Sequence, residues 1–131
     1  FNGLADNVKR YGPEGQVYVD IRPLPPIEAE LLFGVRTPDI FIIAVEVANR
    51  TPQTYVLDTR HVQLLSTGGV KIQALEEKDT PSLPPPIVSQ ALAAHVATQG
   101  YLYFPAGEYQ RVQGYLTEVP SNEREGFQIE F

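Results

Sequence analysis

Apolar and polar residues alternate in short runs along most of this 131-residue chain, the period-two signature of half-buried β-strands. In Gln16–Arg22, Val17, Val19 and Ile21 fall on one face, and Tyr18, Asp20 and Arg22 on the other. After the break Pro23-Leu24-Pro25-Pro26, Ile27–Val35 alternates again, with Ile27, Ala29, Leu31 and Phe33 opposite Glu28 and Glu30. Asp39–Asn49 is the strongest strand, dominated by β-branched residues. Phe41, Ile43, Val45 and Val47 face its core. Ile42 and Ala44 make the other face apolar as well, so one end of this strand is expected to be covered on both sides. Asn49–Pro52 reads as a turn, Thr54–Asp58 and His61–Ser66 as strands, Thr67-Gly68-Gly69 as a tight hairpin turn and Val70–Leu75 as its return.

The last third repeats the pattern. Tyr101–Phe104 is a short aromatic strand and Pro105-Ala106-Gly107 a turn. Tyr109–Val119 is a long alternating strand, Pro120–Gly126 a second turn, and Phe127–Phe131 a final strand. Gly114 lies amid the inward residues Val112 and Leu116, where a missing side chain makes room for a neighbour, such as an aromatic ring of the facing sheet, or marks a bulge. Only residues 87–99 change period: Val88, Ala91, Leu92, His95 and Val96 recur at three- and four-residue spacing, with proline before and Gly100 after. One short helix is expected there. Many strands with a single helix point to two packed antiparallel sheets, not a parallel α/β sheet, which needs a helix at nearly every crossover. Residues 1–15 are rich in turn formers and read as a loosely docked arm; 16–131 reads as a single domain.

Composition narrows the function classes. Ten Lys and Arg against sixteen Asp and Glu give a net charge of −6 with no basic stripe, which opposes binding to nucleic acid. There is no cysteine, so disulfides and thiolate chemistry are excluded. There is no methionine, from which a processed or trimmed chain is expected. No apolar run approaches the roughly 20 residues that span a bilayer. The twelve prolines cluster in loops or at sheet edges, where a missing amide hydrogen costs no ladder bond.

Each candidate for chemistry has a plain structural reading beside it. His61 and His95 lack metal-ligand spacing and read as partly buried side chains. Glu28 and Glu30, two apart on a strand, would share a face, as an acid–base pair must, but read as a solvated face. Glu76, Glu77 and Asp79 around Lys78 lack the pattern of a calcium loop. Asn49-Arg50-Thr51 matches a glycosylation acceptor but is followed by Pro52. No serine lies in a nucleophile-elbow motif. Neither a catalytic residue, a metal site nor a cofactor is therefore assigned. The tyrosines are the remaining candidates. Tyr101 and Tyr103 share one face of a strand, and Tyr109 and Tyr115 share another with Arg111; aromatics interleaved with arginine suit a contact surface for a protein or glycan.

Two stretches carry a family resemblance. VEVANRTPQTYVL followed by HVQLLSTGG, and the end FPAGEYQRVQGYLTEVPSNEREGFQIEF, resemble immunoglobulin-like β-sandwich domains of exported bacterial lipoproteins and cell-envelope proteins. The resemblance implies an immunoglobulin-like antiparallel β-sandwich of seven to nine strands with a short inserted helix at about 87–99. It further implies a non-enzymatic, exported binding or scaffolding domain, periplasmic or attached to the outer membrane. A lipid anchor upstream of Phe1 and a protein partner in the envelope complete that expectation. The alternatives are a β-sandwich subunit of a secretion or conjugation apparatus, and a small hydrolase with a spatially assembled site.

Overall fold

A computed structural model describes residues 15–131. Residues 1–14 of the expected N-terminal arm lie outside the described residues. Among the described residues, nine strands and one α-helix follow in the order β1 (Val17–Leu24), α1 (Pro26–Phe33), β2 (Ile40–Asn49), β3 (Thr54–Leu57), β4 (Gln63–Ser66), β5 (Lys71–Ile72), β6 (Gln90–Leu92), β7 (Ala97–Pro105), β8 (Tyr109–Val119) and β9 (Arg124–Glu130). All strand pairs are antiparallel, and the fold is an all-β sandwich.

The smaller sheet has the order β1–β2–β7. In the larger, β8 pairs along one side with β9 and along the other with β4 and β3 in line, with β5 outside β4 and β6 outside β3. The alternating residues meet between the sheets. Val17, Val19 and Ile21 of β1 join Ile43, Val45 and Val47 of β2, and Val112, Leu116, Phe127 and Ile129 face them. Each of these is at most 5% exposed, and burial of one such side chain stabilises by about 1.5–3 kcal/mol. A second, smaller core lies on the outer face of the small sheet, where Leu24, Ile42 and Tyr103 are covered by Ala29 and Leu83. That is the two-sided burial expected at one end of β2.

The helix sits elsewhere than its periodicity suggested. Residues 87–99 form no helix but a loop, β6 and the start of β7, turning at His95 with φ 63°. Leu92 pairs with Tyr55 across the large sheet, and Ala97–Gln99 pair with Glu46–Ala48 across the small one. Ladder formation on both sides outweighs the helix preference of the alanines. Gly100, read as a helix stop, lies inside β7 opposite Val45, and a Cβ there would come within 3.0 Å of Ile87 Cβ. The helix is instead Pro26–Phe33, read from its alternation as a strand. Proline at its first turn and Gly34 after it, in the left-handed conformation at φ 73°, are start and stop signals that override the alternation.

Candidate contact surface

The helix that closes the small core also carries the two most exposed large apolar side chains among the described residues, Ile27 and Leu31. Ala29 points inward and is fully buried, and the Phe33 ring meets Tyr101 edge-on at 5.0 Å and 86°. Ile27, Leu31 and Leu32 point away, 76%, 81% and 56% exposed. Ile27 and Leu31 lie four residues apart, so they are neighbours on one helical face. The Arg22 ion pair ties its first turn to β1, and the Phe33–Tyr101 contact ties its last turn to β7. Gly34 N–H donates to Glu30 O at 2.9 Å, and the Arg22 guanidinium of β1 forks onto the two Glu28 carboxylate oxygens at 3.0 and 3.2 Å. That fork holds the Glu28 carboxyl below its ordinary range. Glu30 turns the other way, toward Arg36 at 3.6 Å. Residues two apart on a helix point to nearly opposite sides, so the shared face imagined for Glu28 and Glu30 does not exist.

The aromatic candidates are dispersed over three places. Tyr103 is fully buried beneath the proline-rich loop, its hydroxyl donating to Pro84 O at 2.7 Å. Burial pushes that hydroxyl up to about 12. Tyr101 shares its face but is half-buried against Phe33. Tyr109 packs edge-on against Phe41 at 4.9 Å and donates its hydroxyl to Pro105 O. Arg111 and Tyr115 do face outward on β8 and are partly exposed. Arg111 lies 3.7 Å from Glu130, and the Tyr115 ring stacks on His61 at 4.3 Å with the Arg124 guanidinium 4.4 Å from its centre. Tyr115 lines a shallow depression of about 680 Å³ over β8 and β9, with Arg111 outside its lining, while Tyr101 borders another of about 400 Å³ on the small sheet.

The remaining chemical candidates resolve into local structure. Asp58 caps the short 3₁₀ turn Thr59–His61. Its carboxylate takes two bonds from the Arg60 guanidinium, at 3.0 and 2.7 Å, and one from the Arg60 N–H at 3.0 Å. Those side-chain bonds, against the opposing effect of partial burial, hold it far below the usual carboxylate range. His61 Nε2 lies 4.0 Å from the same carboxylate, and His95 is exposed in the β6–β7 turn. Glu77–Asp79 form a second 3₁₀ turn with reciprocal side-chain caps from Glu76 and Asp79, and Lys78 pairs with Glu76 at 3.2 Å. Among the described residues no group of three or more His, Asp and Glu is placed to hold a metal ion.

Asn49 is 1% exposed. Its amide nitrogen donates to the carbonyls of Gln53, Leu92 and Ala93 at 2.7, 2.9 and 3.1 Å. Its oxygen accepts from the Thr51 N–H at 3.0 Å and the Thr51 hydroxyl at 2.7 Å. The acceptor-like triplet is thus a structural clamp joining the β2–β3 turn to the end of β6.

The sequence reading missed the α1 ridge because it placed Ile27–Phe33 in a strand, where half of those residues would face a core. The signal that could have found it is the punctuation, Pro25-Pro26 before and Gly34 after a stretch of Ala, Glu and Leu.

No protein-family model and no curated protein matches the chain. Among solved structures it is similar to a "putative lipoprotein" of Bacillus subtilis, with a TM-score of 0.48 and 17% identity over 88% of this chain. It spans about a third of that protein's length, 36%.

Proposed function

We propose that this domain is a non-enzymatic binding or scaffolding module, exported to a bacterial cell envelope as the soluble part of a lipoprotein, and that it works by protein–protein contact. The observation that carries the contact reading is the α1 ridge. Three large apolar side chains are held in water on a helix that the Arg22–Glu28 fork, buried Ala29 and the Phe33–Tyr101 contact keep rigid. An apolar patch with a charged rim on a fixed element is what the centre of a protein interface requires, because little conformational freedom is lost on binding. Glu28, Glu30 and Arg36 form such a rim.

The immunoglobulin-like reading is supported by strand order. β1, β2 and β7 correspond to A, B and E in one sheet, and β3, β8 and β9 to C, F and G in the other. Export and lipid attachment rest on the sequence resemblance.

The test places a photo-activated cross-linking residue at position 31 of the chain produced with its native leader in cells. The reading expects a discrete adduct with an envelope protein from position 31 and none from the exposed control position 78. Adducts of equal yield from both positions, or none from 31, contradict it.

A further inference from the structure

Among the described residues, β9 is one edge of the large sheet, seven residues long and paired only with β8. Two backbone bonds flanking that ladder define which groups are used. Phe131 N–H donates to Gln110 O at 3.0 Å, and Glu118 N–H donates to Glu123 O at 2.7 Å. Residues 123 and 131 therefore bond toward β8, and by alternation so do the odd residues between them. Arg124, Gly126, Gln128 and Glu130 turn their N–H and C=O groups to the open edge. Their side chains, with Phe127 and Ile129 buried, lie on the solvent face of the sheet.

We propose that this edge is an interface for a second copy of the same chain, paired antiparallel about a two-fold axis at Phe127. A two-fold axis pairs residues whose numbers add to a constant. Centring on 127 sets Arg124 opposite Glu130 of the second copy, and the reverse, so each opposite-charge pair forms twice. It also sets the long Gln128 side chain opposite Gly126, which has none to obstruct it. All four edge-facing residues then find edge-facing partners. Centring on 126 or on 128 leaves at least one of the two charges without its opposite.

Charges on an edge strand ordinarily discourage pairing with foreign strands. These discourage foreign strands while complementing themselves, which selects this partner over others. Because an edge contact is small, the dimer is weak and forms at high protein concentration. In it Arg124 exchanges its place over Tyr115, and Glu130 its contact with Arg111, for each other.

The test is sedimentation velocity on the 131-residue chain over a wide concentration range at about 0.15 M salt. The expected result is a reversible dimer for the unaltered chain. Arg124→Glu and Glu130→Arg each set like charges opposite twice and weaken it by about tenfold or more. An equimolar mixture of the two variants restores it as a heterodimer, because every charge then meets its opposite. A chain that stays monomeric at all concentrations overturns the proposal, as do single variants that dimerise like the parent or a mixture that fails to recover. If either charge variant does not fold, cross-linking decides. The chain has no cysteine of its own, and directly opposed Cα atoms in this register are about 5.5 Å apart, within disulfide range. A mixture of Gly126→Cys and Gln128→Cys chains is expected to form far more disulfide dimer than either alone. Equal yields from all three samples overturn the register.

Discussion

Phe127 occupies the space that a side chain at Gly114 would need. The two residues face each other across β8 and β9, and a Cβ at position 114 would lie 2.7 Å from Phe127 Cζ and 2.6 Å from the carbonyl oxygen of His61. The ring of one strand thus covers the bare backbone of the next. Gly114→Ala is expected to cost about 1–3 kcal/mol, because one of the two obstacles is backbone and cannot move aside cheaply. Gly68→Ala, whose Cβ would meet nothing nearer than Ser66 Oγ at 3.7 Å, is the control and should change stability by less than about 0.5 kcal/mol. Urea unfolding of both variants checks the pair.

Asn49→Ala leaves three carbonyls and the Thr51 hydroxyl without their buried partner. A loss of about 2–4 kcal/mol is expected, with no change in the steepness of the urea transition. A loss under about 0.5 kcal/mol would mean that water replaces the amide freely. The same burial predicts that Asn49 carries no glycan even when the chain passes through a glycosylating compartment, which mass spectrometry checks.

Asp58 supplies the clearest pH dependence. Its carboxyl is held below its unfolded value by Arg60, so its contribution to stability is complete above the ordinary carboxylate range, near pH 4. That contribution is lost as pH falls further through the folded value. Stability measured from pH 6 down to pH 2 is expected to fall less steeply in Asp58→Asn than in the unaltered chain. Identical slopes would contradict the assignment.

Two buried phenols act at the other end of the scale. Tyr55, desolvated and bonded to Glu118 at 3.1 Å, and Tyr103, desolvated beneath Pro84, are both pushed up to about 12. A raised folded value means that their contribution is complete below about pH 10, the unfolded phenol value, and is lost between there and 12. Absorbance titration should show the last two tyrosines ionising together with loss of the fold, and Tyr103→Phe should remove one of them.

Much of the sandwich was legible because burial on one face imposes a period of two that few other constraints disturb. β8 runs over the residues its alternation marks, Tyr109–Val119, and Ile42 is buried on the second face of β2 as its apolar flank implied. The helix was misplaced for a matching reason. In 87–99 the alanines and the three- and four-residue spacing are local signals, whereas the strand ladders that capture those residues are contacts with β2 and β3 far away in sequence. In Ile27–Phe33 the alternation arises on a short helix that is apolar on both the buried and the exposed side. The contact surface was the least legible. Tyr103 and Arg111 look alike as strand residues beside aromatics, and only the proline loop folding over Tyr103 separates the buried one from the exposed one. Gly114 showed that space was needed there, but its occupant comes from the neighbouring strand and not from the opposite sheet.

The α1 ridge can be tested for contact separately from stability, because its side chains make little of the core. In Ile27→Ser/Leu31→Ser the melting temperature is expected to stay within about 2 °C of the parent, as for exposed positions generally. The decisive measurement is the affinity of this double variant for the protein cross-linked from position 31, compared with the parent by calorimetry. A fall of about tenfold or more at unchanged melting temperature is predicted; equal affinity would show that the partner docks elsewhere and that the ridge is not the contact surface.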